Sequence, residues 1–506
     1  MERKILILGD HPLVASLIEQ YQRRGDTAEH RQKMSAVSVR INDYEELCLL
    51  TSVADDGGDE ADNLAMAVLV RLAVEYEPER HNGRRMICHF LLQSAHVLRM
   101  LQTTDFCDSI RERVDVYPFT MDEVWSRCMV LDYEPISIHS EQTVHLVILG
   151  MTDMAEMVAM NAAQVAHYPN FIRDTRLRTR ITLIDEQAEA KSQQWVTRYQ
   201  QLYDNSYYRI IKPAEDRVVS KFHLPAYKAN YEAQADFVDV EWEFVEATIA
   251  STVVREKLRL WSGDRSGQLL TLAFCHRDAN RNLSETQLLP QEVYTERIPV
   301  YAYMPNGGTT IDCVRPFGMT DRGYDVSLPL VQMAKTVKYV YDLCYQENDE
   351  HWSGRLKFAA EIDMSKRERL WQEERQLMRM SNIYNAMTIA SKMRSVGLNA
   401  DDWDKFYDIP QQEIELLSEV EHNRWCVERL IMGWRPCNVQ EQAAIDADIR
   451  KKEELKKRKI HYDLRPYREL RPDATGKPVA IYDLCLSYCL PLIAKSFADE
   501  KGGGVE

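Results

Sequence analysis

Two patterns of apolar and polar positions alternate over the first two thirds of the chain. The apolar run at residues 4–8 ends at Gly9, and the next stretch is apolar on one side only until it stops at Gly25. A short uninterrupted apolar run predicts a buried parallel strand, and a one-sided stretch predicts an amphipathic helix. We expect Asp10 or His11 to cap this first helix.

The same alternation continues and then restarts. In the first part, strands are predicted at residues 47–50, 86–92 and 114–117, and helices at 63–76 and 121–129. The second part opens with a strand at 143–149, followed by strands at 181–184, 238–245, 269–274 and 298–303 and a helix at 328–345. Strands that alternate with helices indicate parallel, doubly wound sheets. We therefore expect two Rossmann-like α/β domains, at 1–138 and 139–345.

The turn after each opening strand is where such a fold holds the phosphates of a dinucleotide. The first turn reads GDHPLV and keeps only Gly9, whereas the second reads GMTDMA and keeps Gly150, with Thr152 at a position where a second glycine would stand. Asp185 ends the next strand, as does the acidic residue that binds ribose in that fold. The candidate cofactor-binding residues are Gly9, Gly150, Thr152 and Asp185.

Both turns resemble those of the TrkA-N or RCK domains of bacterial potassium-uptake regulators. The resemblance implies binding of NAD or another adenine nucleotide. Because the glycine motif is degenerate in both turns, we disfavour NAD and leave open a nucleotide or dinucleotide. The favoured interpretation is that Gly9 and Gly150 are tight-turn glycines, that Thr152 or Asp153 caps a helix, and that the sheets are scaffold or dimer surfaces.

Residues 346–399 are predicted to form a linker and a connecting helix. The first part, 346–364, is polar and rich in turn-forming residues. Ser365 and Glu368 have the spacing of a capping box, which predicts the start of one long helix that ends at Gly397.

A further helix is predicted between Pro410 and Gly433, within the segment that ends in EHNRWCVERLIMGWR. His422, Trp425 and Arg429 fall at positions i, i+3 and i+7, so they share one face. Arg424 and Glu428 are four residues apart, which predicts a surface ion pair contributing only a few tenths of a kcal/mol.

The run LSEVEHNRWCVERLIMGWRP resembles the signature of the ryanodine-receptor repeat (RyR) family, and KKRKIHYDLRPYREL resembles its second element. Ser381-Asn382 matches a helix often found upstream in bacterial RyR proteins, whereas Pro436-Cys437 departs from the family pattern. The resemblance covers about 400–497 and implies a mainly helical domain that senses nucleotide-derived signals. Residues 498–506 are predicted to be a flexible tail.

Aromatic rings beside guanidinium and imidazole groups suit a nucleotide, because the base can stack and the cations can meet phosphate. The other interpretation is that the tryptophans are core residues and the arginines hold surface carboxylates. The candidate ligand-binding residues are His422, Trp425, Arg429, Trp434, Arg435, Lys459, His461 and Arg465.

Composition narrows the classes of function. The formal charge of −16 disfavours a general nucleic-acid binder, since such binding requires neutralisation of phosphates by Lys and Arg. No apolar stretch is long enough to span a bilayer, and the N-terminus does not read as a signal peptide. Eleven cysteines without a CxxC pair suggest a reduced, cytoplasmic protein, in which Cys485 and Cys489 are core residues.

The sequence contains no evident nucleophile–base pair, metal set or intact cofactor loop, so we expect a protein that is not an enzyme. In the favoured interpretation, the RyR domain binds a nucleotide-type small molecule and the α/β domains transmit that signal through a homo-oligomer, in defence or signalling. The alternative is a regulatory subunit of a separate potassium or other ion channel, with NAD or an adenine nucleotide in the Rossmann-like domains.

Overall fold

A computed structural model of the chain describes residues 2–33, 39–51, 58–131, 136–137, 139–213, 218–223, 237–308, 313–346, 362–399, 402–472, 476 and 478–502. The predicted α/β architecture with sheets of parallel strands is confirmed. Over these residues, no helix has the length and apolarity required to cross a lipid bilayer.

The first domain contains a sheet of five parallel strands. They are β1 (Lys4–Leu8), β2 (Thr27–Arg31), β3 (Glu46–Leu50), β4 (Met86–Leu91) and β5 (Val114–Phe119). The spatial order β2-β1-β3-β4-β5 is one of the two common doubly wound orders. The sequence pattern missed β2, because this edge strand is mostly exposed and its polar residues TAEHR carry no apolar alternation.

Five helices cover the two faces of this sheet. They are α1 (Val14–Arg23), α2 (Gly58–Glu75), α3 (Ala95–Thr103), α4 (Phe106–Ile110) and α5 (Met121–Leu131). The predicted cap of α1 is wrong: the residue at the cap position is Leu13, and His11 Nδ1 accepts a hydrogen bond from its N–H at 3.2 Å. Burial lowers the pKa of this imidazole to about 4, which keeps it neutral as an acceptor.

The second sheet has eight strands. They are β6 (Thr143–Leu149), β7 (Thr179–Asp185), β8 (Tyr207–Pro213), β9 (Val218–His223), β10 (Val240–Glu246), β11 (Gln268–Phe274), β12 (Val300–Tyr303) and β13 (Val314–Phe317). Without the β8–β9 hairpin, the order β10-β7-β6-β11-β12-β13 is the 3-2-1-4-5-6 order of dinucleotide-binding folds. All pairings are parallel except that of β8 with β9.

The helices of the second domain lie on both faces of this sheet. They are α6 (Asp153–Val165), α7 (Pro169–Arg173), α8 (Ala188–Arg198), α9 (Gln200–Asp204), α10 (Thr252–Gly263), α11 (Ala279–Thr286) and α12 (Gln291–Thr295). After β13 the chain crosses to the first domain, where the Tyr324 ring stacks on Phe119 with centroids 3.7 Å apart. The Tyr324 hydroxyl also lies 2.7 Å from His89 Nδ1, so this segment completes the core of the first sheet.

The remaining chain is mainly helical. Its elements are α13 (Pro329–Gln346), α14 (Met364–Glu373), α15 (Gln376–Met387), α16 (Ile389–Ser395), α17 (Gln411–Ile431), β14 (Arg435–Pro436), α18 (Val439–Ala447), α19 (Lys451–Lys456), β15 (Ile460–His461), α20 (Ile481–Tyr488) and α21 (Leu490–Gly502). Helices α15 and α17 share one continuous apolar core with α6. A second core joins α13 to α20 and α21 and contains the buried Cys485 and Cys489, as predicted.

Two local predictions in this region are wrong. The single connecting helix is three helices, α14 to α16. Its cap is Asp363, whose side chain accepts a hydrogen bond from the Lys366 N–H, so Ser365 and Glu368 form no capping box. Helix α21 continues to Gly502, and the flexibility of residues 498–506 stays a prediction. Most of the predicted linker, at 347–361, and residues 503–506 lie outside the described part of the chain.

Candidate ligand-binding site

Helix α17 presents one face on which aromatic and cationic side chains meet residues of the loop after it. The rings of His422 and Trp425 stack at 5.8 Å, and the His461 ring lies 4.9 Å from Trp425 and 5.6 Å from Trp434. The Arg429 guanidinium carbon lies 5.6 Å from the Trp425 ring and 5.8 Å from the Trp434 ring. These five residues, which we call the basic–aromatic cluster, are all among the eight candidates.

The cluster contains hydrogen-bond donors that the described protein does not satisfy. Arg429 Nε and Trp434 Nε1 are buried and have no hydrogen-bond partner among the described residues. Arg429 Nη2 lies 3.5 Å from Ser381 Oγ, 3.6 Å from Met378 Sδ and 3.9 Å from the Glu428 carboxylate. A buried donor without a partner costs about 1–3 kcal/mol, so these groups would gain from an acceptor supplied by a ligand. Both indole rings are only partly buried.

The pKa values of the two imidazoles of the cluster are shifted in opposite directions. His422 Nε2 lies 2.8 Å from the Arg465 carbonyl oxygen, and its Nδ1 lies 3.4 Å from Asp483 Oδ2. Burial alone lowers the pKa of His422, but Cys426 and the Asp483 carboxylate raise it well above its usual value. Burial and nearby cations instead lower the pKa of His461 well below its usual value. The surroundings therefore favour the protonated form of His422 and the neutral form of His461.

The other three candidates do not join the cluster. Arg435 makes a bidentate pair with Glu441, at 2.6 and 2.7 Å. Arg465 lies over the Tyr462 ring at 4.2 Å. Lys459 Nζ donates to the Met432 carbonyl at 3.2 Å, at the end of α17. Whether these residues bind a ligand stays a prediction, but their side chains are engaged with groups outside the cluster.

Arg424 and Glu428 do form the predicted ion pair, but the prediction that it lies on the surface is wrong. Both side chains are almost completely buried, and Arg424 Nη1 donates to Glu428 Oε2 at 2.6 Å. Arg424 also binds Glu421 at 2.8 Å, and Lys392 Nζ lies 2.5 Å from Glu421 Oε2. Although burial raises the pKa of Glu421, the cations Arg424 and Lys392 lower it to about 2. We call Lys392, Glu421, Arg424 and Glu428 the buried ion network.

Sequence reasoning missed how the connecting helices support the cluster. Ser381, on α15, donates to Glu428 Oε2 at 3.1 Å and lies beside Arg429. Lys392 is supplied by α16, on the far side of the ion network. The only signal in the sequence was the Ser381-Asn382 pair, which identified the helix but not its contacts. The contacts could not be predicted, because ion pairs between separate helices produce no periodic pattern in the sequence.

The two glycine turns belong to separate sheets. Gly9 has a φ of +119° and Gly150 a φ of +86°, a region that favours glycine. At Gly150, a Cβ atom would lie 2.5 Å from His276 Nδ1. Thr152 caps α6, because its Oγ1 accepts a hydrogen bond from the Ala155 N–H at 3.3 Å. Gly150 is thus required both by the turn and by the imidazole packed against it.

A cleft of about 330 Å³ opens beside the second turn, where the strand order reverses between β6 and β11. We call it the switch-point cleft, and it includes two of the four cofactor candidates. Its lining residues are Thr152, Asp185, Glu186, Gln187, Lys191, His276, Arg277, Asp278 and Arg281. Clefts at this position hold ligands in many doubly wound folds.

The switch-point cleft does not fit the pyrophosphate of a dinucleotide. Asp185 already accepts hydrogen bonds from the Met151 N–H and from Lys191 Nζ, at 2.8 and 2.7 Å. Asp153 lies in the first turn of α6, where phosphate would bind, and it pairs with Arg277 at 3.0 Å. Burial and the Asp153 carboxylate together raise the pKa of Asp122 to about 6, so a second acidic group faces the same helix end.

Among the described residues, no group of three or more His, Cys, Asp and Glu side chains could hold a metal ion. The RyR and TrkA-N resemblances rest on the motifs in the sequence alone. No family model, no curated protein and no solved structure matches this chain.

Proposed function

We propose that this chain is a small-molecule sensor whose C-terminal, RyR-like region binds a nucleotide-type ligand at the basic–aromatic cluster. The observation that carries the proposal is the presence of buried, unpartnered donors on Arg429 and Trp434 beside partly exposed indole rings. The base would stack on an indole, and phosphate oxygens would accept hydrogen bonds from Arg429.

The contacts of the cluster supply a route to the α/β domains. Ser381 and Glu428 connect the cluster to α15, and α15 contacts both α3 of the first domain and α6 of the second. Farther along, Arg379 of α15 lies 3.1 Å from Asp115 of β5, and both are buried. A ligand that reorients Arg429 would therefore act on a helix that contacts both α/β domains, which would serve as scaffold and oligomerisation units.

The decisive experiment uses the full chain and a panel of mono-, di- and cyclic nucleotides, with binding measured by calorimetry and thermal shift. The variant Trp434→Phe keeps an aromatic ring but removes the unpartnered N–H. We expect it to weaken binding about 2- to 10-fold, the value of one hydrogen bond, while the melting temperature without ligand does not fall.

The matched control is Lys191→Gln, which changes a cation in the switch-point cleft. This variant should leave nucleotide affinity unchanged. If Lys191→Gln abolishes binding and Trp434→Phe does not, the ligand belongs to the second α/β domain. A panel that gives no shift at ligand concentrations up to the millimolar range would remove the sensor proposal.

A second candidate function is that of a regulatory subunit that docks on another protein, such as a channel. It is favoured by individual exposed apolar residues on α2, where Leu64 is 54% exposed and Val74 is 65% exposed. Co-purification with a membrane protein, lost in a Leu64→Glu and Val74→Glu double variant, would support this candidate. A homo-oligomer that dissociates in the same variant, measured by light scattering, would instead assign these residues to self-association.

A further inference from the structure

A cavity of about 200 Å³ lies where both α/β domains meet the C-terminal helices. We call it the junction cavity, and its walls come from α3, α5, α6, α8, α15 and the end of α17. None of the five residues of the basic–aromatic cluster lines this cavity. Cavities at domain junctions are common places for small ligands to bind.

The inner part of the junction cavity is polar and buried. Asn161, Gln164 and Tyr384 line it, and each is less than a tenth exposed. Asn161 Nδ2 donates to Ser126 Oγ at 2.6 Å, which fixes the orientation of the amide. Apolar side chains, among them Leu98 and Met160, form the remaining wall. A ligand with a small carbon skeleton and a few polar groups would match this lining.

Three cations from three parts of the chain line the same cavity. Arg99 of α3 lies over the Tyr199 ring at 4.2 Å. Arg198 of α8 pairs with Glu156 and has a side chain that is 48% exposed. Lys459 is exposed and donates to the carbonyl of Met432. One carboxylate, Glu123, also lines the cavity, but it is paired with Arg127.

We propose that the junction cavity binds a small anion, a phosphate monoester or a compact phosphorylated metabolite, with its phosphate between Arg99, Arg198 and Lys459. The cations line one cavity with buried amide and hydroxyl groups, and a phosphate there would accept charge-assisted hydrogen bonds from them. A volume of about 200 Å³ is below the usual range of about 300–1,000 Å³ for drug-sized ligands, so a dinucleotide is too large.

This inference goes beyond the proposed sensor function because it assigns a second site. Its lining residues belong to both α/β domains and to the C-terminal helices, so a bound anion would hold all three against one another. Gly433 lines the cavity and directly precedes Trp434 of the basic–aromatic cluster. Occupancy of the junction cavity would therefore influence how the cluster binds its own ligand.

The test uses the full chain with inorganic phosphate and with phenyl phosphate, each compared with sodium chloride at the same ionic strength. Melting temperature against ligand concentration gives a dissociation constant, since a ligand that binds only the folded state raises stability by mass action. The rim variants are Arg99→Gln and Lys459→Gln. The matched control is Lys457→Gln, which removes an exposed charge two residues away.

We expect phosphate to raise the melting temperature saturably in the wild type and in Lys457→Gln. Loss of one charge-assisted hydrogen bond should weaken binding about tenfold or more in each rim variant. Phenyl phosphate should bind more tightly than phosphate, because its ring reaches the apolar wall.

A shift no larger than that in chloride would overturn the assignment, and so would an unchanged dissociation constant in Lys459→Gln. This exposed lysine can be replaced without loss of the fold, so the test does not depend on Arg99→Gln being stable. Trp434→Phe changes the nucleotide site alone, so it should leave the phosphate dissociation constant unchanged, which keeps failure of the two proposals distinguishable.

Discussion

The switch-point cleft and the basic–aromatic cluster both gather cations near the end of a secondary-structure element, yet they differ in how their polar groups are used. In the cleft, Asp185 is bonded to Lys191 and to the Met151 N–H, and Arg277 pairs with Asp153. In the cluster, Arg429 and Trp434 retain buried donors without partners. A site whose bonds are all internal is stable alone, whereas a site with spare donors has more to gain from a ligand.

The largest effect should come from breaking the buried ion network under the cluster. Arg424→Met would leave the Glu421 and Glu428 carboxylates buried without their shared cation, at a cost of about 3–5 kcal/mol in the free energy of unfolding. Urea denaturation would measure this loss. Arg176→Gln removes a cation that is exposed and pairs with Asp174, so it should change stability by no more than about 0.5 kcal/mol.

If the two variants lose equal free energies of unfolding, the buried ion network does not stabilise the helices that carry the cluster. A stabilising effect of Arg424→Met would show instead that the carboxylates are protonated in the folded state.

The next largest effect should distinguish a turn glycine with a side chain packed against it from one that has no close neighbour. Gly150→Ala introduces a Cβ 2.5 Å from the His276 ring at a positive φ, so we expect a loss of about 2–4 kcal/mol in unfolding free energy. Gly433→Ala has a similar φ of +80° but no atom within 4 Å, and it should cost only about 1 kcal/mol. Thermal denaturation measures both, and similar losses would mean that His276 moves aside at no cost.

The smallest effect should appear in the pH dependence of stability. The surroundings of His422 raise its folded-state pKa. Its contribution to the free energy of unfolding is therefore complete below the unfolded-state pKa of about 6.5, and it is lost as pH rises toward the folded-state pKa. His461 has a lowered folded pKa, so its neutral form favours folding above about 6.5 and stability falls as pH drops below that value. Each effect is limited to about 1.4 kcal/mol per pH unit.

Urea denaturation at pH 5 to 8.5 checks these signs. His422→Gln should remove the decline above pH 6.5, and His461→Gln should remove the decline below it. If His422→Gln leaves the alkaline slope unchanged, Asp483 does not hold a proton on this imidazole.

Prediction from the sequence succeeded where one segment supplied its own signal. Both ends of strand β6 were predicted correctly. A central parallel strand is apolar along its whole length, and in β6 the apolar run stops at Gly150. Prediction failed for β2, whose exposed side chains carry no apolar alternation, and for Arg424. The helical pattern of Arg424 and Glu428 suits a surface, and only the α15 and α16 helices packed over them bury the pair.

The sequence by itself determined the alternation of strands and helices, the two glycine turns and the shared face of His422, Trp425 and Arg429. These features depend on residues close together in the chain, where periodicity and turn chemistry are local. Tertiary structure alone decided that Lys459 faces a cavity with Arg99, and that Arg435 and Arg465 turn away from the indoles. Burial and charge pairing depend on which distant segments meet, and no local pattern records that.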